Sequence, residues 1–315
     1  MHDERLDKLG NWLENFFGHQ NFALTSASDD ASFRRYFRVQ SQQETFIAMD
    51  AAPPSKENTG SFIKIAKLFN RHNIHAPKII SIDLKQGFLL LEDLGSTTFL
   101  QTLNGNFNLD LYKIAINELI KIQAINTQNL VLKKYDKQLL NTEMQLLTDW
   151  YLPKTLSNTH LQNLQAIFRL LSDNALNSKQ VFVHRDYHCR NLMTLKDNDL
   201  GVIDFQDALI GSNTYDLCSL LKDAYFELQP LELQMLLQYY YDQANIDTEF
   251  SQFEKQFELM GLQRHLKILG IFKRLSIRDN KHRYLNDLPL VKKYAQQTAN
   301  KYPELAALKE VLCLV

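Results

Sequence analysis

Three cysteines, Cys189, Cys218 and Cys313, are all that 315 residues contain, and no two of them stand at a metal-binding spacing. They cannot all be paired within the chain, so a reducing compartment is the simpler reading. A bias in charge is missing too. The formal net charge of −1 removes any global electrostatic case for a nucleic-acid or anionic-membrane partner. No apolar run approaches the ~20 residues that a spanning helix needs. The opening residues, MHDERLDKLGNWLENFF, are acidic and amphipathic, not a basic region followed by an apolar signal core. A cytoplasmic protein with no obligate protein partner is expected. Repeats, low-complexity tracts and long linkers are also absent. What remains, 45% hydrophobic and 23% charged, is an ordinary globular composition, long enough for one large domain or two lobes.

Hydrophobic periodicity places the elements. Leu6, Leu9, Trp12, Leu13, Phe16 and Phe17 recur at helical spacing. Three strands separated by polar turns follow, over 22–25, 36–39 and 45–49, and predict an antiparallel meander. Pro53-Pro54 breaks the chain. A helix over 61–70 presents Phe62, Ile65, Ala66 and Phe69 on one face, and 78–82 with 87–91 read as a further strand pair. Beyond Gly95 the pattern is helical.

The stretch from His184 to Asp207, led in by Val181-Phe182-Val183, interrupts that pattern and carries most of the chemistry. Leu192-Met193 and Val202-Ile203 flank a polar turn, Lys196-Asp197-Asn198-Asp199, and read as a β-hairpin. The midpoint between Asn191 and Asp204 falls within the turn. Simple register therefore sets these two residues face to face at the hairpin's open end. With Asp186 they would supply oxygen ligands to a hard cation such as Mg²⁺. An ordinary polar hairpin with solvated carboxylates is the bland alternative. His184 and His188, four apart, lack the Glu of a zinc helix and lie in a loop. His184 reads as a strut for that loop and His188 as a polar brace.

His184-Arg185-Asp186, four residues, then Asn191, followed by Asp204-Phe205-Gln206, resembles the kinase catalytic loop and metal loop. With Leu89-Leu90-Leu91-Glu92-Asp93-Leu94-Gly95 as hinge and Tyr215-Asp216-Leu217 beyond the metal loop, nearly the whole chain resembles the aminoglycoside phosphotransferase and choline kinase superfamily. Within it, the segments Ser28–Val39, Met49–Pro54 and Leu269–Leu275 resemble the bacterial N-acetylmuramate/N-acetylglucosamine kinases of peptidoglycan recycling. The resemblance implies an α+β, two-lobed protein-kinase-like fold, with a small antiparallel-sheet lobe over 1–94 and a larger helical lobe over 95–315. It implies ATP as co-substrate, Asp186 as the base that takes the acceptor's proton, and Asn191 and Asp204 as ligands of Mg²⁺. The acceptor would be a small molecule, an amino sugar phosphorylated at its anomeric hydroxyl.

One departure stands out. The third strand, Phe46-Ile47-Ala48-Met49-Asp50, lacks the lysine that kinases aim at the nucleotide phosphates, and the next helix offers Lys64 and Lys67 where a partner carboxylate is usual. The turn Ser32-Phe33-Arg34-Arg35-Tyr36-Phe37-Arg38 offers a substitute. Its backbone, with Arg35 or Arg38, would meet phosphate oxygens, though it has no glycine to bring the chain close. Strand alternation turns Arg35 inward with Phe37 and Val39. A solvated strand edge is the alternative for any one of these arginines. Glu92 to Leu94 would supply backbone groups to adenine.

Arg264, Lys267, Arg274 and Arg278 form a basic stripe on a predicted helix whose buried stripe is Leu262, Leu266, Leu269, Phe272 and Leu275. Part of the basic stripe, notably Arg264 and Arg278, with Asp279, Lys281 and Tyr284, either borders the acceptor pocket or is a solvated face. Asp207 either binds a sugar hydroxyl or braces the metal loop. Asp216 precedes an apolar helix at an N-cap position and reads as structural support that accepts backbone N–H bonds and steadies the catalytic loop without touching substrate. The rival acceptors are an aminoglycoside, choline or another small alcohol. The rival of another class is a nucleotide-sensing pseudokinase acting through protein partners.

Overall fold

A helix starts where a side chain can take its orphaned N–H groups. In the computed structural model, which describes residues 2–27, 34–52, 59–196 and 199–314, Asp3 does so at the first helix. Its carboxylate accepts from the N–H groups of Arg5 and Leu6 at 3.1 Å each, opening α1 (Glu4–Phe17). Gly18, at φ 73°, closes it in the left-handed conformation that glycine adopts without steric cost. The buried face of α1, Leu9 and Leu13, packs on Val39, Ala48, Phe88 and Leu90.

Those partners belong to an antiparallel sheet built from β1 (Phe22–Ser26), β2 (Arg35–Ser41), β3 (Glu44–Asp50), β4 (Ile79–Asp83) and β5 (Phe88–Glu92), in the order β1-β2-β3-β5-β4. The predicted meander and strand pair are both present. Between β3 and β4 runs α2 (Thr59–Arg71), whose apolar face is Phe62, Ile65, Ala66 and Phe69, as its periodicity predicts.

The chain divides into two compact units, Met1–Ser96 with Gly201–Asp207, and Thr97–Leu200 with Ala208–Val315. The short returning segment is knitted into the smaller unit. Val202 donates its N–H to the His75 carbonyl at 2.8 Å, and Ser61 Oγ donates to the Gln206 carbonyl at 2.7 Å. Phe205 is fully buried, its ring 4.9 Å from Phe62 and 5.4 Å from Phe69. Aromatic pairs at such distances add about 0.5–1.5 kcal/mol beyond area burial.

The larger unit is mostly helical. Its elements include α4 (Leu109–Gln123), α5 (Lys137–Leu146), α6 (Asn158–Asn177), α7 (Tyr215–Leu221), α8 (Pro230–Gln243), α9 (Phe250–Arg278) and α10 (Leu288–Lys301), with α3 (Phe99–Leu103) at its start and α11 (Ala306–Leu312) at its end. An antiparallel pair, β6 (Gln180–Val183) with β9 (Leu209–Ser212), leads directly into the loop at His184. β7 (Leu192–Thr194) and β8 (Leu200–Val202) form the expected hairpin. Its inner bond runs from Leu195 N–H to the Asp199 carbonyl at 2.9 Å, which pairs odd residues with odd ones. The face-to-face setting of Asn191 and Asp204 required odd against even, so the simple register does not hold at the turn. Asp204 also lies beyond the end of β8, at φ 64°.

The 29-residue α9 is the central strut of the larger unit, buried around nearly its whole circumference over 257–266. One glycine makes its packing possible. A Cβ on Gly270 would come 2.3 Å from the carbonyl carbon of Leu146, where α5 passes into a π-helical turn, Leu147–Tyr151. Among the described residues, no helix is long and apolar enough to cross a membrane. Gly270→Ala is expected to force the two backbones apart and destabilise the protein by about 1–3 kcal/mol, the usual range for overpacking. A thermal melt reads this as a lowered midpoint, and an unchanged midpoint contradicts the close approach.

Candidate active site

The loop after β6 is held at several points along its backbone. Asp216 on α7 accepts from the N–H groups of His184 at 2.7 Å and Arg185 at 2.9 Å. This fixes Arg185 at φ 82°, a conformation that a non-glycine residue adopts only under constraint. Asp216 was expected as structural support, capping a helix or steadying the loop through backbone N–H bonds. The loop bonds are present, whereas α7 begins after Thr214 with no capping side chain. Tyr187 donates to the Ala115 carbonyl at 2.8 Å, and Cys189 N–H donates to Asp223 at 2.9 Å. His184, fully buried, accepts the Asp186 N–H on Nδ1 at 3.2 Å, a strut in fact. Asn191 Nδ2 donates to the Asp186 carbonyl at 3.0 Å, so the amide oxygen is the end that a cation would meet.

Asp186 lines a cavity of about 120 Å³ with His188, Tyr215, Tyr225, Arg264, Lys267 and a wall of Ile268, Ile271 and Phe272. That is the scale of the roughly 150 Å³ void that takes one benzene ring. Burial alone would raise the Asp186 carboxyl. The charges of Lys267, His188, Arg185 and Arg264 outweigh it and hold the group below its ordinary 3.8. Burial pushes His188 down, against the pull of Asp223 and Asp186.

The cations are anchored from behind by Glu143 on α5, which sequence reading missed. Its carboxylate takes Arg185 at 2.5 Å and Lys267 at 2.9 Å, and it accepts a hydrogen bond from Tyr135. Lys267 also donates to the Tyr215 hydroxyl at 3.1 Å. One carboxylate against two cations leaves a net positive charge behind Asp186. Burial would raise Glu143, but Lys267 and Arg185 bring it below its ordinary value.

The basic stripe does not behave as one face. Arg264 and Lys267 lie inside, with side chains almost wholly covered, whereas Arg278 is exposed and pairs with its neighbour Asp279 at 2.8 Å. The helical spacing was right, but burial on all sides of α9 leaves its amphipathic pattern uninformative about direction. Tyr284 packs on Phe272 at 5.1 Å and so backs the cavity wall.

In the smaller unit, Arg35 reaches Asp50 at 2.6 Å and also pairs with Asp3, the residue that caps α1. It lies on the α1-covered face of the sheet, as alternation predicts, but held by carboxylates. Arg38 reaches Asp93 at 2.7 Å and donates to the Gly95 carbonyl at 2.8 Å. The Glu92 N–H is donated to the Lys78 carbonyl at 2.9 Å, so it is not available to adenine as expected. Leu94 is buried. Asp204 and Asp207 are exposed, and Gln206 donates to Asp204 at 2.7 Å. Ser32 and Phe33 lie outside the described residues.

A family model described as "Phosphotransferase enzyme family" matches residues 23–249. N-acetylmuramate/N-acetylglucosamine kinases from Pseudomonas putida and Neisseria meningitidis are 40% and 36% identical. The alignments cover 99% and 98% of this chain, and 96% and 95% of those proteins. Among solved structures, an ethanolamine kinase from Plasmodium vivax superposes with a TM-score of 0.65 at 14% identity, covering 98% of this chain and 91% of that one. A choline/ethanolamine kinase family protein from Mesorhizobium loti gives 0.66 at 11%, covering 97% and 99%. The α+β, protein-kinase-like fold is therefore shared.

Two consequences can be measured. In Asp216→Asn an amide NH₂ replaces one acceptor and meets a backbone N–H head-on. Loop misplacement of this kind costs on the order of 10²-fold in kcat, and a steady-state assay that finds kcat unchanged contradicts the anchoring role. Burial also pushes the Asp216 carboxyl up to about 7, above its ordinary 3.8. The folded state then binds the proton more tightly, so this group's contribution to stability falls as pH rises from 3.8 towards 7. Thermal melts across that window are expected to show a downward component in the wild type that Asp216→Asn lacks. In Lys267→Met the Asp186 carboxyl rises, and the acid limb of the kcat/KM profile moves to higher pH. An unmoved limb removes Lys267 from the electrostatics of Asp186.

Proposed function

Because the chain belongs to the phosphotransferase enzyme family, we propose that it transfers the γ-phosphoryl group of ATP to the anomeric hydroxyl of N-acetylmuramate or N-acetylglucosamine. The observation that carries this reading is the lining of the cavity at Asp186. Its cations are Arg264 and Lys267, its wall is aromatic and aliphatic, and Asp186 is the sole carboxylate among the lining residues. A polycationic aminoglycoside or a quaternary amine calls for acidic or caged aromatic surroundings. A neutral or acidic sugar suits this lining, with its C–H face on Phe272 and Tyr225 and its polar edge towards the charges. The names and high coverage of the bacterial relatives support the same acceptors.

In the reaction the sugar hydroxyl gives its proton to an Asp186 carboxylate oxygen. The sugar oxygen forms the new bond to phosphorus, and the bond to the β-phosphate oxygen breaks, releasing ADP. A carboxylate held at a low pKa is a weak base, so its main work is to orient the hydroxyl. An anomeric hydroxyl is more acidic than an ordinary alcohol and asks less of the base. Lys267 and Arg185, held by Glu143, add fixed positive charge behind Asp186 that keeps its carboxylate ionised for this role.

The donor chemistry of Asn191 and Asp204 fits a hard cation. One presents an amide oxygen fixed by its own Nδ2 bond, the other an exposed carboxylate. We assign both to Mg²⁺, which when bound neutralises nucleotide phosphate charge. Arg38 is assigned to the nucleotide in preference to Arg35, because it already reaches the Asp93–Gly95 hinge segment.

Incubation with Mg-ATP and each sugar is expected to yield ADP and a sugar 1-phosphate by phosphorus NMR. Asp186→Asn is expected to lower kcat by about 10²–10⁴-fold, the range for a lost general base, while keeping its affinity for ATP. Phosphate at another carbon, or turnover with choline or an aminoglycoside alone, overturns the assignment.

A further inference from the structure

Arg264 is 5% exposed, lines the cavity beside Asp186, and makes no hydrogen bond or ion pair with any described residue. Its buried Nη1 has no partner among the described residues. The neighbouring cations differ sharply, since Lys267 and Arg185 are both held by Glu143. The acids that act on Arg264 through space are Asp186 and Asp216. Asp216 is committed to two loop N–H groups, and Asp186 faces the reacting hydroxyl. A buried guanidinium without a counter-ion is costly, so the compensating anion is expected to arrive with the ligand.

We infer that Arg264 is the specificity residue for an acidic acceptor, binding the lactyl carboxylate by which N-acetylmuramate differs from N-acetylglucosamine. The inference rests on the proposed sugar kinase activity. A planar guanidinium suits a carboxylate because it offers two parallel N–H donors. The i, i+3 spacing of Arg264 and Lys267 sets both on one side of α9, and Phe272 and Tyr225, with ring centroids 6.4 Å apart, flank the same cavity. A sugar held on that aromatic wall, with its anomeric hydroxyl at Asp186, can turn a side-chain acid towards Arg264. N-acetylglucosamine leaves the guanidinium uncompensated and gains nothing from it.

The test compares kcat/KM for the two sugars in wild type, Arg264→Met and Arg264→Lys. It also compares N-acetylmuramate with its methyl ester in the wild type alone. Arg264→Met is expected to lower the N-acetylmuramate to N-acetylglucosamine ratio by about 10–100-fold, as for a lost hydrogen-bonded charge pair, mostly through KM. Arg264→Lys, keeping the charge without the fork, falls between. The wild type is expected to discriminate against the ester to a similar degree. An unchanged sugar ratio, including equal loss on both sugars as for a residue serving the transferred phosphoryl group, overturns the inference. So does an ester used as well as the free acid, a result that needs no variant to fold. A wild type that phosphorylates neither sugar instead overturns the proposed function.

Discussion

The carboxylate of Asp216 gripping two consecutive backbone N–H groups is the contact on which the rest of the site depends. It holds Arg185 in a left-handed backbone conformation, which sends the Arg185 side chain back to Glu143 while the next residue, Asp186, enters the cavity. A single bond could be satisfied by several loop conformations. Two adjacent ones from one buried carboxylate leave very few. The strained backbone is sustained by burial and hydrogen bonding elsewhere, the usual arrangement where geometry matters more than local ease.

Charge is organised around that loop in layers. Glu143 lies deepest, shared by Arg185 and Lys267. Asp186 is nearer the opening, kept ionised by the same cations. Arg264 completes the lining without a hydrogen-bond or ion-pair partner among the described residues. Nothing in this arrangement requires the protein's overall charge, which is nearly balanced. Local fields in a covered pocket are set by a few groups at short range, and solvent screens the remainder.

Much of this was legible in the chain itself. The spacing from His184 to Asn191 marks the loop because chemistry restricts those positions, and the strands and α2 follow from simple periodicity. The unread parts have physical causes. Glu143 and Asp223 are each one acidic residue among 36 acidic side chains, and only tertiary packing brings them to the loop. Arg264 and Lys267 fall on a helix covered on nearly every side, where hydrophobic patterning cannot say which way a long cation points. Arg35 obeyed strand alternation, yet its partner Asp3 is 32 residues away at the cap of α1. The hairpin was foreseen but its register was not, since parity in a ladder depends on the turn's own bonds.

Phe205 ties two properties that are normally tuned apart. It fills the interior of the smaller unit against Phe62 and Phe69, and it directly follows Asp204 in the chain. A residue that repacks α2 therefore also repositions an exposed carboxylate one peptide away. Laboratory evolution towards heat tolerance at Phe62 or Phe69 would be scored, unasked, on what Asp204 does. In related sequences the identities at these two helix positions should drift together with the residue at 205 and not independently of it.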